Sequence, residues 1–180
     1  MIMDKSYLLA HLRNIPDFPK PGIQFKDVST WFVEPRCLKM LADEIVKRYE
    51  NRGITKVVGI ESRGFVLGAI VAERLGAGFV MCRKPGKLPG KTLKASYAKE
   101  YGLDNIEIHF GAIGQDDTVL IHDDLLATGG SMKAAVDLVK AFGPKAVFVN
   151  FLVELRIEGL KGREALEGVA PMDALLTLDN

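Results

Sequence analysis

The stretch from Val119 to Ser131, VLIHDDLLATGGS, sets two adjacent acids, Asp123 and Asp124, behind an apolar run and three residues ahead of a Thr-Gly-Gly-Ser turn. The run reads as a buried strand, and GSMKAAVDLVKAFG (130–143) as the helix that follows. Backbone N–H groups of Ala127 to Ser131 would then face outward at a helix N-terminus, where the dipole favours negative charge and a phosphate can sit. Gly129 and Gly130 let the backbone approach a ligand closely, and the hydroxyls of Thr128 and Ser131 add donors. The two acids would repel a phosphate, so they must serve another group. Vicinal sugar hydroxyls fit a carboxylate acceptor, and a magnesium ion shared with the ligand is the second candidate. Phosphate on the loop and a diol on the acids together describe a ribose 5-phosphate. The competing nucleotide motifs, GxGxxG and GxxxxGK[ST], are absent.

The surrounding pattern supplies a scaffold for such a unit. VVGI (57–60), FVMCR (79–83), TVLIHD (118–123) and AVFVNFLVEL (146–155) read as strands, with helices over GFVLGAIVAERLG (64–76) and 130–143 between them. Short apolar strands alternating with helices indicate an α/β fold, a mainly parallel sheet covered on both faces. Its ligands collect at the carboxyl ends of the strands. Upstream, Asp4 caps a helix expected to reach about Asn14, and Pro35 opens another that Gly53 stops, with Leu38, Leu41, Ile45 and Tyr49 inward. IPDFPKPGIQF (15–25) must be an ordered turn or loop. Residues 85–105 are polar and rich in Gly, Pro and Lys, which predicts a functional lid or disorder, and IEIHF (106–110) predicts one arm of a half-exposed hairpin.

A chain of 180 residues with 48% hydrophobic content holds one sizeable core, so a single domain over 1–180 is expected. Lys+Arg total 24 against 23 Asp+Glu, a net charge of +1 that gives no reason to expect nucleic acid or an anionic membrane as partner. Cys37 and Cys82 lack CxxC or Cys/His spacing, so two buried free thiols and a reducing compartment are expected. The first residues, MIMDKSYLLAHLRN, lack the apolar core and cleavage site of a signal peptide, and no apolar run approaches the ~18 residues that span a bilayer. The expectation is a cytoplasmic, soluble protein. His11, His109 and His122 have no metal-ligand spacing.

VLIHDDLLATGGS resembles the phosphoribosyl-pyrophosphate signature of the type I phosphoribosyltransferases, and DDLLATGG resembles their adenine branch. In the hypoxanthine/guanine branch the position of Ala127 usually holds an acid. Further segments resemble the family in the same order. IPDFPKPGIQFKD (15–27) is similar to its base-binding hood, placed at about 1–34, and GIESRGF (59–65) to its pyrophosphate loop. RKPGKLPGKTLKASYAKEYG (83–102) is similar to its mobile catalytic lid, placed at 83–105, and LKGREAL (160–166) to its C-terminal segment.

The resemblance implies transfer of 5-phosphoribosyl from phosphoribosyl pyrophosphate to N9 of adenine, giving AMP and pyrophosphate in purine salvage. It implies magnesium carried by the substrate, with no direct side-chain metal ligand assigned, and a homodimer. Asp123, Asp124, Ala127, Thr128, Gly129, Gly130 and Ser131 would hold the ribose 5-phosphate. Ser62, Arg63, Arg83, Lys84 and Lys87 would contact pyrophosphate, and a cis peptide is implied near Glu61–Ser62. From Arg83 to Lys99 the chain carries six basic residues and no acid, as a lid over pyrophosphate requires. Glu100, Tyr101 and Arg63 are the implied catalytic residues, Glu100 as the group that handles the adenine proton or steadies the developing charge. Backbone atoms of Gln24 and Lys26 would read adenine, with Phe25 beside the ring and Leu125 and Leu155 enclosing it.

Two other functions compete. A 6-oxopurine or xanthine phosphoribosyltransferase is disfavoured by the hood motif and by Ala127. A regulator that senses phosphoribosyl pyrophosphate would be expected to carry an added helix-turn-helix or a strong basic face, and the chain shows neither.

Overall fold

The computed structural model describes residues 3–18, 20–99, 102–157 and 159–179. The chain opens with α1 (Lys5–Ala10), a hairpin of β1 (Arg13–Pro16) and β2 (Gln24–Asp27), and helices α2 (Ser29–Val33) and α3 (Pro35–Tyr49). Next come β3 (Lys56–Ile60), α4 (Gly64–Leu75) and β4 (Gly78–Cys82), followed by an antiparallel hairpin of β5 (Thr92–Lys99) and β6 (Gly102–His109). The last elements are β7 (Thr118–Leu126), α5 (Gly130–Lys140), β8 (Ala146–Leu155), α6 (Gly162–Ala165) and β9 (Met172–Leu178). Strands β4-β3-β7-β8-β9 lie in that order in one sheet, and every pairing in it is parallel. The α/β class expected from the alternation is the one found.

Alternate residues of the central strands go to opposite faces, which is why these strands read as continuous apolar runs. Val57 and Leu120 pack with Leu41 and Ile45 of α3 and Leu67 and Val71 of α4. Val58 and Ile121 pack with Val136 and Val139 of α5 and with Ile106 and Ile108 of β6. Trp31 is fully buried on the first face and donates its Nε1–H to the Leu8 carbonyl at 2.7 Å. Left unpaired in the core, that N–H would cost about 1–3 kcal/mol. Cys37 and Cys82 are both buried and unbonded, and burial pushes the Cys82 thiol up to about 12.

Several boundaries differ from the sequence reading. The first helix stops at Ala10 instead of reaching Asn14, because its end is claimed from outside. Thr30 Oγ1 donates to the His11 carbonyl at 2.6 Å, Trp31 takes that of Leu8, and the chain turns into a hairpin tied by Arg13 Nε to Asp27 at 3.0 Å. The 15–25 turn is the connection of that hairpin, closed by Asp17 accepting from the Gly22 N–H at 2.7 Å. The segment expected to be an irregular lid holds strand β5 and the start of β6, and Leu93, Ala95 and Tyr97 of β5 face the core beside Ile106 and Ile108. Its period-2 pattern was hidden by the Gly, Pro and Lys around it. Strand β9 has no counterpart in the sequence reading, since the adjacent Leu175 and Leu176 break the alternation.

One polar pair lies inside the sheet. His122 and Asn150 face each other in register on β7 and β8, with His122 Nδ1 2.9 Å from Asn150 Oδ1, and both residues are buried. Burial lowers the imidazole pKa from 6.5 to about 4. The folded value lies below the unfolded one, so the unfolded chain takes up the proton first as pH falls. Stability is therefore lost between pH 6.5 and about 4, by up to about 3 kcal/mol from this group, and no further below that window. Urea unfolding at pH 7 and pH 4.5 should show a smaller acid loss in the His122→Val/Asn150→Ala double variant than in the wild type. Equal losses would contradict this.

Candidate active site

The site begins where the sheet becomes stepped. The last pair between β3 and β7 is Gly59 with His122, whereas β7 stays paired to β8 as far as Leu126. Asp123 and Asp124 therefore project from inside a strand, past the end of its shorter neighbour. The sequence reading ended this strand at Asp123. It runs three residues further because β8 continues alongside it and β9 alongside β8. The space above β3 is filled by the Glu61–Arg63 turn, and the Glu61–Ser62 peptide is cis, as the resemblance implied.

The two carboxylates are held differently. Asp123 keeps part of its surface open and accepts from the Asp124 N–H at 2.9 Å. Asp124 is buried, and Arg63 Nε approaches its Oδ2 at 2.6 Å as an ion pair, without the alignment of a hydrogen bond. Burial raises the pKa of both acids; the charge of Asp124 pushes Asp123 up further, while Arg63 pulls Asp124 back down. The pair is thus short of positive charge and of hydrogen-bond donors.

Immediately beyond lies the loop of Ala127, Thr128 and Gly129. Gly129 has φ +80°, a left-handed conformation that glycine adopts without strain, and it caps α5 with no side-chain hydrogen bond. The first N–H groups of α5 are therefore not taken by a cap, and the dipole of an 11-residue helix adds its positive end. Thr128 is exposed, and Gly130 and Ser131 are partly so.

The β1–β2 hairpin reaches this site through Phe25. The Arg63 guanidinium lies 5.8 Å from the centre of the Phe25 ring, which meets Phe18 edge-on at 5.1 Å. Gln24 is exposed and its Oε1 accepts from Asn14 Nδ2 at 2.6 Å, so its amide is engaged within the hairpin; Lys26 is partly buried. Leu125 and Leu155 are partly buried at the ends of β7 and β8 and pack on the same apolar cluster as α3 and α4.

Basic residues border the other side. Arg83, expected at pyrophosphate, directs its fork to Glu61, with Nε and Nη2 at 3.1 and 3.0 Å, and the Lys84 N–H donates to the same carboxylate at 3.0 Å. Arg83 is the main cause holding the Glu61 pKa below its ordinary value. The side chains of Ser62, Lys84 and Lys87 are exposed. Glu100 and Tyr101 lie outside the described residues. The structure thus gathers Phe25, Arg63, Asp123, Asp124 and the 127–131 loop, and sets Arg83 one contact away. No group of three or more His, Cys, Asp or Glu able to hold a metal occurs among the described residues.

Sequence reasoning missed the acids that anchor this region. Glu61, within the ESRG segment, takes the Arg83 fork and the Lys84 N–H. Glu107, 2% exposed, accepts from the Gly86 N–H at 3.0 Å and Thr92 Oγ1 at 3.1 Å, fixing the base of the basic segment. Glu154 is equally buried and pairs with Arg163. An acid inside an otherwise apolar strand such as AVFVNFLVEL was the available signal.

Comparison with known proteins agrees with this fold. The phosphoribosyl transferase domain model matches residues 34–165. An adenine phosphoribosyltransferase from Phocaeicola vulgatus is 56% identical over 176 residues, covering 98% of this chain and 100% of that protein. The crystal structure of the Giardia lamblia enzyme of that name, complexed with 9-deazaadenine, superposes with a TM-score of 0.90 at 43% identity, covering 99% of this chain and 100% of the other. The Trypanosoma brucei adenine phosphoribosyl transferase structure, in complex with AMP, pyrophosphate and ribose-5-phosphate, gives 0.87 at 29% identity over 96% of this chain and 78% of the other. With the domain matched across most of its length and a relative this similar end to end, the chain belongs to the adenine phosphoribosyltransferase family.

Proposed function

We propose that this chain transfers the 5-phosphoribosyl group of phosphoribosyl pyrophosphate to N9 of adenine, releasing AMP and pyrophosphate. The observation that carries the reading is the carboxylate pair of Asp123 and Asp124 set directly before an uncapped helix N-terminus. A ribose 5-phosphate has the complementary order: a diol for the acids and a phosphate for the loop of Ala127 to Ser131. The ligands named for the Trypanosoma brucei complex are the products and a fragment of this reaction.

Breaking the bond at C1 of the ribose leaves an oxocarbenium-like carbon and a departing pyrophosphate, so cations must meet the growing charge and water must be excluded. Arg63 pairs with Asp124. When the diol hydroxyls donate to Asp124, the guanidinium is released to turn toward pyrophosphate beside Ser62. Lys84 and Lys87 add charge from the lid, and Arg83 keeps the Glu61–Ser62 turn in place. The β5–β6 hairpin and its approach act as the lid. Glu100 and Tyr101 serve the chemical step, Glu100 on the adenine proton. Adenine is read by the backbone of Gln24 and Lys26, since the Gln24 amide is already engaged with Asn14. Phe25, Leu125 and Leu155 enclose the ring.

Two adjacent carboxylates fit magnesium that is held mainly by substrate oxygens, because this ion takes one or two carboxylates together with phosphates and keeps waters. When bound, it would offset the charge of the pyrophosphate. The reading also includes a cytoplasmic location, consistent with two buried free thiols, and a symmetric homodimer as the family resemblance implies.

Incubation with phosphoribosyl pyrophosphate, magnesium and each of adenine, hypoxanthine, guanine and xanthine should give nucleotide from adenine alone. Nucleotide from a 6-oxopurine, or none from adenine, would refute the reading. Asp124→Asn should raise the donor KM by about tenfold or more, the scale of a lost charge-assisted hydrogen bond. Arg63→Ala should cut kcat by about 100-fold, as loss of one group that meets developing charge does. Glu100→Ala should slow single-turnover chemistry while leaving substrate affinity near the wild-type value, so unchanged single-turnover rates would remove it from the chemical step.

A further inference from the structure

The turn of α6 lies against the back of the 127–129 loop. Gly162 is buried, and a Cβ there would fall 2.4 Å from the Ala127 carbonyl oxygen and 2.8 Å from Leu126 Cδ1. In the reverse direction, a Cβ on Gly129 would fall 2.8 Å from the Gly162 carbonyl oxygen and 3.3 Å from Ala165 Cβ. The two backbones are therefore in contact at both ends of the loop, and only glycine permits it.

α6 is held there by Leu166, buried at its C-cap in the core beside α5, and by one buried acid. Glu154 on β8 is 2% exposed and stands in register with Leu126, the last residue before the loop. Arg163 on α6 grips it with both arms, Nε to Oε1 at 2.6 Å and Nη2 to Oε2 at 2.5 Å. Arg156 Nε adds a weaker contact at 3.3 Å. A planar fork on a buried carboxylate fixes orientation as well as distance, which an ammonium cannot do. The loop itself lacks a side-chain cap at the start of α5, so its aim depends on this backing.

We propose that Arg163, locked to Glu154, is a positioning residue for the anion loop: it seats Gly162 against Ala127 and Gly129 and so keeps the loop's N–H groups directed at the 5-phosphate. This rests on the reading of that loop as the 5-phosphate site. Arg163 touches no reacting group, and its effect should appear in affinity for phosphate-bearing ligands.

AMP and adenosine differ by that phosphate, so calorimetric binding of each to the intact protein isolates the effect. Arg163→Ala should weaken AMP by about tenfold, since small displacements of positioning groups carry costs of this order or larger, and leave adenosine within about twofold. Arg163→Lys, which keeps the charge without the fork, should fall between wild type and Arg163→Ala and serves where the alanine variant does not fold. Gly162→Ala, which leaves both charges in place, should also lose AMP selectively. In steady-state assays the donor KM should rise with kcat little changed. Unaltered AMP affinity in a folded Arg163 variant, or equal loss of AMP and adenosine, would overturn the positioning role alone. A wild-type protein that binds AMP no better than adenosine would overturn the phosphate assignment together with it.

Discussion

Two carboxylates on consecutive residues of a largely buried strand can be ionised together only where positive charge or hydrogen-bond donors reach them. That constraint organises the site. Burial pushes the pKa values of Asp123 and Asp124 upward, the charge of Asp124 makes ionisation of Asp123 harder still, and Arg63 at 2.6 Å from Asp124 answers part of the deficit. A ligand that supplies hydroxyl donors improves this arrangement, while an anion placed directly on the acids worsens it. The phosphate must then sit elsewhere, and the uncapped start of α5 lies immediately beyond.

The fold produces this separation by ending its parallel strands at different heights. β3 stops at Ile60, while β7, β8 and β9 run on, leaving a shelf that the Glu61–Arg63 turn covers. Acids around the shelf then fix its edges. Glu61 takes Arg83 and the Lys84 N–H, so the basic segment starts from a defined point. Burial favours protonation of Glu107, but its bonds from Thr92 and from the N–H groups of Gly86 and Leu88 outweigh that and hold it below the ordinary carboxylate value. None of these acids needs to meet substrate to matter; each sets the position of a segment that does.

The parts legible in sequence were those governed by local rules. Strands β3, β4, β7 and β8 announced themselves as apolar runs, α3 by its Pro35 start, and α4 by the Gly76 stop at φ +66°. The strand–acid–glycine–helix unit was legible because its chemistry lies within 13 consecutive residues, Val119 to Ser131. What was not legible depends on partners distant in sequence. The Arg63–Asp124 pair joins the turn after β3 to β7, Arg83 is diverted by Glu61, and β9 forms because β8 offers an edge to pair with. The extent of β7 likewise follows from its neighbour and not from its own residues.

The central claim is most directly tested by a crystal structure with magnesium and a non-reactive analogue of phosphoribosyl pyrophosphate. The account predicts the 5-phosphate at about 3 Å from N–H groups of the 127–131 loop, the ribose hydroxyls on Asp123 and Asp124, and Arg63 moved off Asp124. An analogue bound elsewhere, or bound with Arg63 still paired to Asp124 and the hydroxyls free of both acids, would contradict it.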